Sequence, residues 1–246
     1  MHRRSILLAS LAGVVLLSMR AYPLELIAHR GGTPSQAENS ITAFAQAVPY
    51  ADAIETDIRF TRDHVPVILH DRTLDRTTNC QGLLSEKSWQ QVRACRLHSP
   101  TGSLSPQTLP SLSRLLHFHK LRHSPLVLEI KDDDQVGINR VMKSIRGRRN
   151  IRLSSFSLTI LNYLHRHYHF AELYLISGTF PRSYPAYLRG LFLCTSPTTQ
   201  DRLHRLPKHL KIYLWTVNRL RDLTRYRHLP VAGVITDRVR YFRRKM

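Results

Sequence analysis

Short apolar runs recur along this chain, and stretches with helical patterning separate them. Most of the runs are rich in Ile, Leu and Val at successive positions, which is typical of strands buried on both faces. Strand–helix alternation of this kind predicts an α/β fold, a TIM-type (β/α)8 barrel. The 246 residues suit one such barrel, and a hydrophobic fraction of 42% supports a large core. The nine runs cover residues 24–31, 52–60, 65–71, 124–131, 151–157, 171–178, 191–196, 211–218 and 232–237.

Two of these runs are too close together to be parallel neighbours. Only about four residues separate 52–60 from 65–71, whereas a parallel crossover needs roughly a dozen. We therefore expect an irregular barrel with an antiparallel hairpin near strand 2. A two-residue loop at Asp63 and His64 would place Asp57 opposite His70, and a slip of one residue would move His70 to the other face.

The N-terminus resembles a targeting segment. The basic residues 2–4 precede an apolar run from Ile6 to about Met19, which is shorter than the ~20 residues of a spanning helix. We interpret residues 1–21 as a signal peptide, or as an uncleaved signal anchor, and residues 24–246 as the barrel domain. The domain is then expected to be exported or membrane-anchored outside the cytoplasm, periplasmic in a bacterium. A cytoplasmic enzyme behind a false start is the alternative.

The charge balance indicates which partners are attracted. Lys and Arg number 37 against 17 acids, a formal net charge of +20, which favours polyanions or is simply a solvated basic surface. An anionic membrane surface is a candidate partner, because the basic aromatic tail 241–245 would suit one. A frayed, solvated C-terminus is the other interpretation of that tail. No nucleic-acid motif accompanies the charge, so no specific nucleic acid is expected.

The chain has three cysteines and no CxxC pair, which argues against a cysteine-rich zinc site. Cys80 and Cys95 could pair in an oxidising compartment. Alternatively, these two and Cys194 are buried thiols.

Glu55 and Asp57 are the first candidates for chemistry. They lie two apart on an apolar strand, so both side chains point the same way. Neighbouring carboxylates in a dry setting repel each other and lose hydration. A hard cation, Mg²⁺ or Ca²⁺, would relieve both penalties because it prefers oxygen ligands. A solvated strand end is the competing interpretation.

Two further strands repeat the pattern of charge near a strand end. Glu129 and Lys131 share a face in LEIK, where they would supply a third oxygen ligand and an anion contact, or a structural ion pair. His29 and Arg30 end the first run and lead into Gly31 and Gly32. Barrel active sites collect at such strand ends, arginine grips phosphate, and histidine moves protons near neutral pH. Together these residues suit metal-assisted phosphodiester cleavage.

The same motifs resemble the glycerophosphodiester phosphodiesterase family over nearly everything after the leader. The resemblance implies a TIM-type barrel that hydrolyses glycerophosphodiesters to glycerol 3-phosphate and an alcohol. The chain departs from the usual family pattern at 37–40, where it reads AENS, and at Asp63-His64 in the hairpin. The resemblance is carried by IAHRGG (27–32), AENSITAF (37–44), the long stretch 54–82, LEIK (128–131), SSFS (154–157), LWTVN (214–218) and GVITD (233–237).

The resemblance also implies roles for individual residues. His29 and His70 match catalytic histidines, and Arg30 and Lys131 match phosphate contacts. Trp215 matches an aromatic near the substrate glycerol, although a core tryptophan is the other interpretation.

Three more residues match by position. Glu55, Asp57 and Glu129 match the ligands of a divalent cation. Asp71 is expected to be an orienting or structural partner, and Asp237 to be structural.

Two other functions remain open at this stage. The same site could act as a lysophospholipase D-type phosphodiesterase on lysophospholipids at a membrane surface. A non-catalytic basic protein that binds membrane or nucleic acid is the remote alternative, because it would leave the carboxylate–histidine set idle.

Overall fold

The structure is a computed structural model that describes residues 24–118, 121 and 123–246. The segment interpreted as a leader, residues 1–21, lies outside the described residues. Among those described, no helix combines the length and the apolar character needed to cross a bilayer.

Eight parallel strands form the closed wall, with helices around it, as the alternating pattern predicts. The wall runs β1-β11-β10-β9-β8-β7-β6-β2, and a β1–β2 pairing closes it. The strands are β1 (Glu25–Ala28), β2 (Ala53–Phe60), β3 (Pro66–Ile68), β4 (Arg96–His98), β5 (Leu104–Thr108), β6 (Leu126–Ile130), β7 (Ile151–Ser155), β8 (Glu172–Ser177), β9 (Gly190–Cys194), β10 (Lys211–Trp215) and β11 (Gly233–Thr236). The helices are α1 (Ile41–Ala47), α2 (Trp89–Val92), α3 (Leu112–His117), α4 (Gln135–Ile145), α5 (Leu158–His167), α6 (Pro197–Arg202), α7 (Leu220–Tyr226) and α8 (Val239–Arg243).

The predicted hairpin is present as β2–β3, but its predicted register is wrong by one residue. Ile58 lies opposite Ile68, and the Leu69 amide donates to the Asp57 carbonyl at 3.1 Å. The loop has three residues rather than two, because His64 adopts φ 60° and the pairing resumes at Val65. Three-residue hairpin loops end in such a left-handed residue.

A segment inserted between the hairpin and α3 forms a second, smaller core. It contains the antiparallel pair β4–β5, which the sequence patterns did not predict. Its buried residues cluster apart from the barrel core and include Leu74, Leu84 and Val92. A disulfide joins Cys80 to Cys95 with their Cα atoms 5.7 Å apart. The pairing interpretation is thus confirmed, and the interpretation of three buried thiols is wrong.

The C-terminal tail is folded. Residues 239–243 form α8, whose Phe242 is fully buried. Arg243 donates to the Tyr50 carbonyl at 2.8 Å and pairs with Asp52 at 2.6 Å. The frayed-terminus interpretation is therefore wrong, although Tyr241 is 40% exposed.

The crossover from β8 to β9 contains no helix, and residues 178–189 connect the two strands directly. Tight packing resumes at Gly190, where a Cβ would lie 2.0 Å from the Lys211 carbonyl oxygen on the neighbouring strand. Only glycine lets β9 and β10 approach this closely.

We expect Gly190→Ala to destabilise the barrel by about 1–3 kcal/mol, because the added methyl must push β10 away. Gly178→Ala is the matched control, since a Cβ there meets nothing within 4 Å, and its stability should stay within about 0.5 kcal/mol of wild type. Urea unfolding followed by circular dichroism measures both. Equal stabilities for the two variants would contradict this packing account.

Candidate active site at the barrel mouth

Three carboxylates meet at the mouth, the end of the barrel where the parallel strands terminate. Glu55 and Asp57 lie two apart on β2, and Glu129 sits beside Asp57 on β6 in the strand register. Each offers an oxygen within 4.8 Å of the others. Their exposed fractions are 5%, 1% and 8%, so the interpretation of a solvated strand end is wrong. An all-oxygen, buried set of this kind fits a hard divalent cation.

Two cationic side chains touch this triad. The Lys131 ammonium lies 2.6 Å from Glu129 and 3.0 Å from Asp57. The Arg30 Nε lies 3.2 Å from Asp57, while its backbone amide donates to Glu55 at 2.9 Å. Arg30 makes both contacts because its φ of 51° is left-handed and turns the chain back over the carboxylates.

Gly31 permits the tight turn that follows. Its φ is +100°, and a Cβ there would lie 2.6 Å from the Ala43 side chain. Any larger residue would displace α1 and, with it, the loop that holds Arg30.

The pKa values of the three carboxylates are shifted in different directions. Burial and the Asp57 charge raise the pKa of Glu55 to about 8. Burial also raises the pKa of Glu129, despite the neighbouring Lys131. Burial would raise the pKa of Asp57 too, but Lys131 and Arg30 outweigh it and lower that pKa to about 2. The protein's own cations therefore stabilise the charge of Asp57, and they compensate the charges of Glu55 and Glu129 only in part.

The two candidate histidines lie on either side of the triad, each held through Nδ1 by a carboxylate. His29 Nδ1 lies 2.6 Å from Asp237, which accepts a 2.6 Å hydrogen bond from Asn218. His70 Nδ1 lies 2.7 Å from Asp71. His70 reaches the site although the hairpin register differs from the predicted one, because β3 ends at Ile68 and the chain bends there.

Asp71 is thus an orienting partner, as expected, and Asp237 orients a histidine as well. The purely structural role expected for Asp237 is therefore incomplete.

The pKa values of the two imidazoles move in opposite directions. Burial lowers the pKa of His29, but the Asp237 hydrogen bond and the Glu55 charge outweigh it, and the net pKa lies above the ordinary 6.5. Burial lowers the pKa of His70 more than Asp57 and Asp71 raise it, and the net pKa lies below 6.5. At any given pH near neutrality, His29 thus carries the larger protonated fraction and His70 the smaller.

Asn39 supports the triad, although the sequence patterns assigned it no role at the site. Its Nδ2 donates to Asp57 at 2.7 Å, and its Oδ1 accepts from the Thr56 hydroxyl at 2.8 Å. The neighbouring Glu38 links Arg30 to Arg76 at 3.2 and 2.8 Å. Both residues fall in the AENS motif of the family resemblance, which was the available signal.

A cavity of about 170 Å³ opens beside these groups and is lined by both histidines, Arg30, Lys131 and Trp215. The Trp215 ring makes an edge contact with Phe156 at a centroid distance of 5.8 Å. The Ser154 hydroxyl also lines the cavity, and it is buried without a hydrogen-bond partner among the described residues. An apolar wall opposite a charged floor suits a small molecule with a polar, anionic end.

Comparison with known proteins agrees with this geometry. The family model of the glycerophosphoryl diester phosphodiesterases matches residues 29–241. YhdW of Bacillus subtilis, whose name carries that activity as a provisional assignment, is 30% identical over 86% of this chain and 93% of its own. A glycerophosphodiester phosphodiesterase of Caldanaerobacter subterraneus is 27% identical over the same shares.

A solved structure shares the fold. The Oleispira antarctica phosphodiesterase OLEI02445, solved in complex with the product sn-glycerol-3-phosphate, superposes with a TM-score of 0.77. The two sequences are 18% identical over 89% of this chain and 95% of the other.

We expect Asp237→Asn to lower the pKa of the His29 imidazole, because the variant loses the carboxylate that stabilises the imidazolium. Asp71→Asn is the matched change at the other histidine. It should lower the pKa of His70 and leave the pKa of His29 unchanged. Titration of the ring resonances by NMR measures both. An unchanged His29 titration in Asp237→Asn would show that this contact does not set the proton affinity.

Proposed function

The chain belongs to the glycerophosphoryl diester phosphodiesterase family and is a phosphodiesterase that hydrolyses glycerophosphodiesters, and we propose that His29 and His70 carry its proton transfers beside a divalent cation held by Glu55, Asp57 and Glu129. The observation that supports this proposal is the meeting of three buried carboxylates and two oppositely perturbed imidazoles around one cavity. The products proposed are glycerol 3-phosphate and an alcohol, in keeping with the product named for the Oleispira structure.

The donor set fits a cation such as Mg²⁺ or Ca²⁺. Its oxygens are close and buried, and two of its members have raised pKa values, so a bound cation would supply the missing positive charge. When bound, such an ion polarises phosphoryl oxygens and lowers the pKa of an attacking hydroxyl.

Arg30 and Lys131 are proposed to bind the phosphate. Both line the cavity and already lie against Asp57, so they stand ready to stabilise negative charge that grows on the phosphoryl oxygens. Positioned charges of this kind need no reorganisation during the reaction.

The protonation states favour a division of work between the histidines. Neutral His70 accepts the proton of the attacking hydroxyl, and protonated His29 donates a proton to the departing alkoxide. Asp71 and Asp237 each hold Nδ1 of a ring, which leaves Nε2 of each as the nitrogen proposed to exchange the proton. The attacking hydroxyl is that of water or of the substrate glycerol, the latter by way of a cyclic phosphate.

Trp215 and Phe156 are proposed to cover the glycerol, since their edge contact forms one side of the cavity. A cavity of about 170 Å³ accommodates a glycerol phosphate group.

We also propose that the domain works outside the cytoplasm. The Cys80–Cys95 disulfide supports this location, because disulfides persist in oxidising compartments. Cell fractionation that finds the protein in the cytosol with both thiols reduced would contradict it.

We expect Mg²⁺ or Ca²⁺ to raise the unfolding temperature of the wild-type protein, and Glu129→Gln to abolish most of that rise, because the variant removes a ligand charge. Asp133→Asn, an exposed mouth residue, is the control and should respond like wild type. Differential scanning fluorimetry with and without chelator measures the shifts. An identical rise in Glu129→Gln would place the cation elsewhere.

We expect His29→Ala and His70→Ala each to lower kcat on the order of 10²- to 10⁴-fold on a glycerophosphodiester, the usual contribution of one positioned acid or base. His228→Ala, exposed at the far end of the barrel, is the control.

A leaving group with a low pKa, such as nitrophenolate, needs no proton and should restore turnover in His29→Ala alone. Equal restoration in both variants would reject the division of work, and undiminished turnover in either variant would reject its role.

A further inference from the structure

The two ends of the barrel differ in charge. We call the end opposite the mouth the basal face. Three of the 17 acidic residues in the chain lie on this face: Glu25, Asp52 and Glu172. An arginine lies 2.7 Å from Glu25, another lies 2.6 Å from Asp52, and a third lies 4.0 Å from Glu172. The basal face consists of the segments that lead into the strands together with the end of the chain, residues 24–25, 48–52, 118, 121, 123–125, 146–150, 168–172, 189, 206–211, 227–233 and 244–246.

Basic side chains on the same face are exposed. None of the six named below forms an ion pair with any residue that the structure describes, so their charge is available to a partner. They are Arg146, Arg149, Lys208, Lys211, Arg244 and Lys245. They come from three separate segments that the barrel topology brings to one end.

An aromatic pair lies within this basic surface. Phe170 is 60% exposed, and its ring contacts Tyr168 at a centroid distance of 6.2 Å. Both rings line a groove of about 450 Å³ together with Lys143 and Arg146. Exposed aromatic rings surrounded by lysine and arginine are typical of surfaces that insert at the boundary of a lipid bilayer.

We propose that the basal face docks on an anionic lipid bilayer. The basic residues meet the negative headgroups, and Phe170 enters the interfacial layer. The place where the N-terminal segment joins the barrel agrees with this orientation. β1 begins at the basal face, and the segment interpreted as a leader, residues 1–21, lies just before β1 in the sequence. The mouth, which carries Asp132, Asp133 and Asp134 near the site, then points into the aqueous phase.

This proposal is independent of the catalytic assignment and goes beyond it. An outward mouth receives substrate from solution, which distinguishes this arrangement from an enzyme that attacks lipids in the bilayer on which it sits. Double-stranded nucleic acid is the competing polyanion, and the experiment separates the two.

The test is co-sedimentation of the full chain with vesicles of phosphatidylcholine alone or with 30% phosphatidylglycerol. The ratio of the two binding constants is compared between variants, and because all of them carry the same leader, its contribution cancels in that comparison. We expect Arg146→Glu with Arg149→Glu to lower this ratio at least about tenfold, since one basic residue at an anionic surface accounts for roughly fivefold. The control is Arg182→Glu with Arg219→Glu, which makes the same charge change at exposed mouth residues, and it should keep the ratio.

Further measurements complete the test. Phe170→Ser should weaken binding while its salt dependence stays the same, because the ring contributes burial rather than charge. Hydrolysis of a soluble glycerophosphodiester should be unchanged in the basal variants, which shows that they are folded.

The proposal fails if both double variants lower the ratio equally or if neither lowers it. It also fails if the basal variants lose binding to duplex DNA while the wild-type protein does not bind anionic vesicles. If the protein has no phosphodiesterase activity but Arg146→Glu with Arg149→Glu still lowers the ratio of binding constants, only the catalytic assignment is contradicted.

Discussion

The negative charge of three buried carboxylates at the barrel mouth, which water scarcely reaches, governs the organisation of this barrel. Glu55, Asp57 and Glu129 would each lose several kcal/mol of hydration if buried in ionised form without partners. The left-handed turn at Arg30 and the placement of Lys131 two residues beyond Glu129 both serve to offset this charge. The compensation is partial, and in the proposed mechanism the remaining negative charge attracts a cation, which together with Arg30 and Lys131 would bind the anionic substrate.

The two histidines proposed to move protons lie at the edge of that charge. The barrel wall itself supplies the pair formed by His29 and Asp237. His70 instead depends on the start of the inserted segment, because Arg76 binds Asp71 at 2.5 Å and anchors it to Glu38. One ring is thereby biased towards the imidazolium and the other towards the neutral form, although both lie in the same cavity.

Much of this arrangement could be predicted from local patterns. The nine apolar runs all became strands, and the spacing of Glu55 and Asp57 placed them on one face. The register of the hairpin could not be predicted, because it depends on the left-handed conformation of His64, which residues other than glycine adopt only occasionally. The β4–β5 pair has no alternating pattern and includes a proline. The contact between His29 and Asp237 spans 208 positions and exists only once the barrel closes.

That last contact has a consequence for biosynthesis. The first and the last strands of the wall are neighbours, so Asp237 can reach His29 only after nearly the whole polypeptide has left the ribosome. Contacts between distant ends form late, since closing so large a loop costs entropy that no local pairing offsets. A nascent chain, or one truncated before its final strand, therefore lacks the carboxylate that holds His29, the residue proposed as the acid.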